Sequence, residues 1–164
     1  MNARRSTRRS IAAALAIAAV GAWAADDAHR VPFAASLDTQ ELVYPGGDCA
    51  PAGTGVTTGQ GNASHLGRVT LAASDCFAPG RASFSFDHGR LALTAANGDL
   101  LYGRYSGSLL PTSAVSPVFT IKGTFVIDGG TGRFAGATGD GVLSGSIDVQ
   151  TGTGHYDATG AIAY

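Results

Sequence analysis

Gly129-Gly130-Thr131-Gly132-Arg133-Phe134-Ala135-Gly136-Ala137-Thr138-Gly139 joins two segments that alternate with a period of two residues. Upstream, Val118, Thr120, Lys122, Thr124 and Val126 share one face, and Phe119, Ile121, Gly123, Phe125 and Ile127 share the other. Downstream, Gly141, Leu143, Gly145, Ile147 and Val149 alternate with Asp140, Val142, Ser144, Ser146 and Asp148. A two-residue period is the signature of a strand, because successive side chains point to opposite faces of a sheet. The chain therefore leaves a sheet at Asp128 and re-enters it at Gly139, and the connection is dense in glycine with a single aromatic residue, Phe134, to anchor it.

The same reading extends outward. Val31 to Leu37 is a first strand, followed by a loop containing Pro45-Gly46-Gly47-Asp48, Pro51 and Gly53. Gly55 to Asn62 and Ala63 to Ser74 are one long or two consecutive strands, with a break near Gly67. Ser83 to Asp87 is a short strand that Asp87-His88-Gly89 turns into Arg90 to Ala96. Asn97-Gly98 predicts a two-residue hairpin of type I′, leading into Leu100 to Leu110, where Leu101, Tyr105 and Leu109 share a face. Thr151-Gly152-Thr153-Gly154 joins the last two strands, Gly139 to Gln150 and His155 to Tyr164.

No segment keeps a helical period over three turns, so the fold class is all-β. Eight or nine antiparallel strands in meander order, with short loops and with glycines at strand centres (Gly103, Gly107, Gly123, Gly145, Gly160), predict a small up-and-down β-barrel of about eight strands. Closure of that kind removes exposed sheet edges.

The N-terminus has a separate meaning. Arg4, Arg5, Arg8 and Arg9 precede an uncharged, alanine-rich run, and Ala22-Trp23-Ala24 fits a cleavage site, so residues 1–24 read as a signal peptide. The run is shorter than the roughly 20 residues that span a bilayer. Arg8-Arg9 within Thr7 to Ile11 also resembles part of a twin-arginine signal. The expectation is export to the periplasm or beyond, with no transmembrane segment in the mature chain. Residues 25–164 then form a single barrel domain of 140 residues, with seven basic and 12 acidic residues and a formal charge of −5. Nucleic-acid binding needs clustered cations, and those in the mature chain are scattered singly. Cys49 and Cys76 are the only cysteines, and an even pair in an exported chain reads as a disulfide. The alternative, a reactive or metal-binding pair, lacks both a C-x-x-C spacing and clustered histidines.

Gly129, Gly130, Thr131, Gly132 and Phe134 together resemble an element between two late barrel strands of the allene oxide cyclase and dirigent superfamily. His65-Leu66-Gly67-Arg68, Ala96-Asn97-Gly98-Asp99 and the block Gly129 to Gly145 are further similar to small exported bacterial proteins with such a barrel. The resemblance implies an eight-stranded antiparallel barrel with a central cavity, a small apolar ligand and, as in the plant relatives, a trimer. It transfers no catalytic position, because the only glutamate, Glu41, lies in the loop-like stretch before the matching region.

Other chemistry is weakly signalled. Gly130 to Ala135 satisfies a G-x-G-x-x-A dinucleotide pattern, but that pattern works only at the start of a helix, and here the chain returns to strand. A calcium repeat would need an acid where Phe134 stands. No nucleophile elbow is present for a serine hydrolase. His29, His65, His88 and His155 show no metal-ligand spacing, so neither a metal nor a cofactor is expected. The residues assigned to a lumen site are Phe84, Phe86, Tyr105, Phe119, Phe125 and Tyr156, with His65 and Arg68 as polar handles. If Tyr105 faces inward with Leu101 and Leu109, its hydroxyl needs a buried partner. The expected function is a small-ligand-binding or structural barrel of the cell envelope, the alternative being a cofactor-independent cyclase or isomerase.

Overall fold

Alternation of apolar and polar residues produces eight strands, each pairing antiparallel with the next, and the last pairing with the first to close a barrel. The computed structural model describes residues 29–50 and 52–164. The expected signal peptide, its twin-arginine element and Pro51 lie outside the described residues. The strands are β1 (Val31–Pro45), β2 (Gly53–Ala63), β3 (Gly67–Pro79), β4 (Phe84–Ala95), β5 (Leu100–Pro111), β6 (Val118–Gly130), β7 (Thr138–Asp148) and β8 (Thr153–Ala163). Among the described residues no helix is long and apolar enough to cross a membrane.

The two ends of the barrel differ. At one end lie the β2–β3, β4–β5 and β6–β7 connections. There the glycine-rich connection forms a single 3-10 turn, Gly132–Phe134, and Phe134 is fully buried beneath it. Phe134 packs with Leu66, Val69, Leu101, Ala137 and Ile162 and closes this end with hydrocarbon. Gly130 is needed here, because a Cβ at that position would meet the Phe134 side chain at 2.6 Å. At the other end, the mouth, a second cluster of Phe86, Leu109, Ile121 and Ile147 is flanked by Phe77, Phe84 and Phe119. Phe86 fits only because two inward-facing glycines sit side by side under its ring. A Cβ on Gly107 would lie 2.5 Å from its Cζ, and one on Gly123 would lie 3.3 Å away.

Three local expectations are corrected. First, β1 does not stop at Leu37 but runs to Pro45, pairing with β2 from Ala35 to Pro45. Its inward series Phe33, Ala35, Leu37 continues with Thr39 and Glu41, both buried, and polar residues in the inward phase imitate a loop in a hydrophobicity reading. Second, Asp87-His88-Gly89 is a bulge inside β4 rather than a hairpin. His88 has φ 53°, and the register with β5 shifts between Phe86 and Gly89. Third, the Asn97-Gly98 hairpin exists, but only Gly98 has positive φ, at 88°. The Gly98 amide donates to the Ala95 carbonyl, and the Ala95 amide donates to that of Asp99. This is a three-residue loop ending in a left-handed glycine, which a type I turn allows without strain at asparagine.

Cys49 and Cys76 form a disulfide with Cα atoms 5.2 Å apart, tying the β1–β2 connection to the mouth end of β3. On the chain-entropy account a loop of this length contributes about 3–4 kcal/mol.

Candidate functional site

Polar side chains inside a small barrel are costly unless partnered, so the inward polar residues are the place to look for function. Four lie within the lumen near the mouth: Thr39 and Glu41 from β1, Thr57 from β2 and Asp75 from β3, all buried. The register gathers them. Glu41 stands opposite Thr57, and Asp75 stands opposite Gly55. Gly55 has no side chain to separate the two acids. A Cβ there would lie 2.7 Å from Asp75 Oδ1 and 3.0 Å from Glu41 Oε1, so both carboxylates bear on one point above the Gly55 backbone.

The bulge in β4 supplies the next piece. It sets Gly89 opposite Tyr105, and a Cβ on Gly89 would lie 2.6 Å from Tyr105 Cδ1. The tyrosine ring therefore lies across β4 and reaches β3, where its hydroxyl donates to Asp75 Oδ2 at 2.7 Å. The buried partner that the sequence required for this hydroxyl is an acid. Asp75 Oδ1 is buried with no hydrogen-bond partner, as is Thr39 Oγ1.

The electrostatics follow from burial. Loss of solvent pushes Glu41 up to about 7, with the nearby Asp75 charge adding to the effect. Burial also raises Asp75, the Tyr105 hydrogen bond opposes this, and the Asp87 charge adds to it. Tyr105 and Tyr156 are held far above the usual phenol range, first by burial and then by the acids around them. The cluster is therefore acidic and short of solvent. It also lacks a cation: among the described residues no ion pair involves Glu41 or Asp75.

Two spaces adjoin it. An inner cavity of about 60 Å³ is walled by Phe33, Leu37, Leu71, Leu91, Phe125 and Leu143, with Thr57, Tyr105 and Tyr156 also on its lining. That volume holds a few atoms, well below the 300–1,000 Å³ common for ligand sites. A second pocket of about 350 Å³ opens at the mouth between Leu42, Val43, Phe77, Phe84, Leu109 and Ile147, and Glu41 lines it. It exists because β1 runs past β8. The last β1–β8 pair is Gln40 with Thr153, and beyond it the Glu41 amide donates to the Gly152 carbonyl at 2.8 Å.

The residues singled out from sequence divide among these regions. Tyr105, Phe125 and Tyr156 line the inner cavity, and Phe84 lines the mouth pocket. Phe86 and Phe119 belong to the mouth-end core cluster. His65 and Arg68 do not face the lumen. His65 sits in the β2–β3 turn with φ 66°, its Nε2 2.8 Å from the Pro32 carbonyl and its ring against Tyr164. Arg68 is exposed, because Val69 beside it takes the inward phase of β3. The polar groups of the lumen are instead Glu41 and Asp75, neither of which was assigned to a site. A sequence signal existed for both: each continues the inward phase of its strand, after Phe33-Ala35-Leu37 in β1 and Val69-Leu71-Ala73 in β3.

Two other constellations carry no site. Cys76, Asp87 and His88 lie within metal-ligand reach of one another, but Cys76 is spent in the disulfide and offers no thiolate. On the outer wall His155 Nδ1 lies 2.8 Å from Asp38 and its Nε2 3.1 Å from Ser36 Oγ, the order of a serine-hydrolase triad. It stands on an exposed strand ladder paired on both sides, Ser36 with Asn62 and with Asp157, which provides neither a cleft nor a pair of free amides for an oxyanion. Comparison of the chain with protein-family models, curated proteins and solved structures finds no match.

Proposed function

We propose that this chain is an exported barrel that binds a small, mainly apolar molecule at its mouth, with the molecule's polar end at Glu41. The observation that carries the reading is the buried Glu41 carboxyl lining a mainly apolar pocket of about 350 Å³, with a second buried acid, Asp75, close to it. An unsatisfied buried polar atom costs about 1–3 kcal/mol. A barrel kept only for its outer wall would gain stability by replacing these acids with hydrocarbon. The export half of the proposal rests on the signal-like N-terminus, and the Cys49–Cys76 disulfide suits an oxidising compartment. The likeness to allene-oxide-cyclase barrels rests on the three motif blocks and on the closed eight-stranded meander. Trimer assembly is part of that likeness and is proposed with it.

The test is native mass spectrometry of the mature protein taken gently from its own envelope fraction. A discrete added mass that is lost on denaturation supports the lumen-ligand reading, and the subunit count is read in the same spectrum. A bare chain that also takes up no apolar compound in a binding screen would overturn it in favour of a structural role.

One observation favours a second reading, a cyclase or isomerase. A carboxyl raised to about 7 is matched to proton transfer near neutral pH. Under that reading Glu41→Gln abolishes turnover of a flexible apolar substrate. Turnover that survives both this change and Tyr105→Phe removes the enzyme reading.

A further inference from the structure

The chemistry of the mouth specifies the charge of its occupant. We propose that the ligand's polar end is an organic cation, an alkylammonium group seated in the mouth pocket at Glu41, within the field of Asp75, with its hydrocarbon among Phe77, Phe84, Leu109 and Ile147. This deepens the mouth-binding reading and rests on it.

Three observations converge. The first is an acceptor excess. Glu41 is 8% exposed and lines the mouth pocket, Asp75 is buried close to it, and Asp75 Oδ1 has no donor. An ammonium brings a positive charge and several N–H donors to the Glu41 carboxylate, whereas an alcohol brings one donor and no charge. The second is the absence, among the described residues, of an internal counter-ion. Arg30, Arg104 and Arg133 pair with Asp140, Asp128 and Asp99, and Arg68, Arg81, Arg90 and Lys122 are exposed. No Lys, Arg or His lines either the inner cavity or the mouth. A carboxylate-bearing ligand would add a third negative charge with nothing to meet it. The third is the wall. Phe77 and Phe84 stack at 4.8 Å between centroids and, with Leu109 and Ile147, offer hydrocarbon to an alkyl chain beside Glu41. Calcium or magnesium would need several more oxygen ligands than this apolar wall offers.

The arrangement couples binding to pH. The groups facing Glu41 are Asp75 from β3, Tyr105 from β5 and Tyr156 from β8, with Asp87 acting on Asp75 from β4. Both tyrosines stay neutral throughout, so the titration that matters is that of the acids. Protonation of Glu41 below about 7 removes half of the negative charge that holds the cation.

The experiment is isothermal titration calorimetry of the mature protein at pH 8 with hexylammonium chloride, 1-hexanol, sodium hexanoate and calcium chloride as separate probes. Hexylammonium is expected to bind at least tenfold more tightly than 1-hexanol, and hexanoate and calcium not at all. Lowering the pH from 8 to 5 weakens hexylammonium toward the affinity of 1-hexanol as Glu41 is protonated, while 1-hexanol is unchanged. Glu41→Gln abolishes the preference for the amine, and Asp75→Asn provides the same reading if the first variant does not fold by circular dichroism. Equal affinity for amine and alcohol overturns the cation assignment and leaves the mouth-binding reading standing. Tighter binding of hexanoate, or of calcium, overturns the cation assignment as well. If no probe binds at any pH, both readings fall together.

Discussion

The two ends of this barrel solve opposite problems with the same strands. At the closed end Phe134, Leu66, Ala137 and Ile162 are buried to 6% exposure or less, and every inward side chain is hydrocarbon. At the mouth the inward phase of β1 and β3 ends in Thr39, Glu41 and Asp75, which oppose folding unless something partners them. Buried hydrocarbon is thus concentrated at one end of the barrel axis and buried acid at the other. Removing a buried ring at the closed end should therefore cost stability, whereas neutralising Glu41 at the mouth should add it. The largest effect is expected from Phe134→Ala, which removes a fully buried ring packed on Tyr164 with centroids 4.9 Å apart. A loss of about 3–5 kcal/mol is expected, read as a fall in the denaturant midpoint. A loss below about 1 kcal/mol would mean that the closed end is not where the stability lies.

Opening the disulfide comes next. Replacing Cys49 and Cys76 with serine should cost about 3–4 kcal/mol, and the loss should match that of the wild type measured under reducing conditions. Because Cys76 follows Asp75 directly, the variant also tests the mouth. If the disulfide holds Asp75 against Tyr105, amine binding weakens along with stability.

Glu41→Gln should do the reverse and stabilise the protein. Its folded-state titration near 7 lies above the ordinary carboxylate value of 4.5, so the ionised form is disfavoured by folding. The wild type therefore has its full stability below about pH 4.5, loses it as the pH rises, and carries the whole penalty above about pH 7, on the order of 3 kcal/mol. Thermal melts should show the variant more stable than wild type at pH 8 and nearly equal to it at pH 4.5. Superimposable melts at both values would show that the burial of Glu41 carries no cost, and the contrast between the two ends would collapse.

How far the sequence reveals this contrast depends on the kind of residue at each end. The closed end was legible: Phe134 in a glycine-rich connection between two alternating strands identifies itself, and the eight-stranded closure followed from the meander and its short loops. Tyr105 was placed on the correct face with Leu101 and Leu109, and its need for a partner was evident. The mouth was not legible, because a strand is recognised by apolar residues in phase, and β1 replaces them with Thr39 and Glu41 where the site begins. Asp75 was hidden for another reason. Its partner Tyr105 lies 30 residues away, and it reaches Asp75 only because Gly89 and the His88 bulge clear a path across β4. A bulge has no hydrophobic signature, and Asp-His-Gly reads as a turn. Residues that oppose the local pattern are those most informative about function.

A smaller effect is expected within the mouth. Tyr105→Phe keeps the ring and removes the donor to Asp75 Oδ2, leaving both oxygens of a buried acid without a partner. The expected cost is about 1–3 kcal/mol. That hydrogen bond holds the Asp75 titration down, so its removal raises the Asp75 titration further, which carbon-13 NMR of the carboxyl reads directly. A rise accompanied by loss of stability places the tyrosine as the acid's internal partner, and an unmoved Asp75 resonance would remove it from the cluster.

The smallest effect is predicted for the outer wall, where the geometry most resembles an enzyme. Ser36, His155 and Asp38 are linked at 3.1 and 2.8 Å, but Ser36 and Asp38 are exposed and His155 is nearly half so. Water competes for every bond in the chain, and exposed pairs of this kind contribute about 0–1 kcal/mol. Catalysis also needs amides aimed at a developing oxyanion, and the amides near Ser36 belong to a ladder between β1 and both neighbours. Ser36→Ala should therefore change stability by less than about 0.5 kcal/mol and leave nitrophenyl ester hydrolysis at the rate of free imidazole. A rate that falls with Ser36→Ala and is blocked by a fluorophosphonate would move the chemistry of this barrel from its lumen to its surface. The reason for expecting otherwise is burial: the inner acids are linked by one hydrogen bond fewer, yet they are withheld from water, and only there does a missing partner leave a free energy for a ligand to recover.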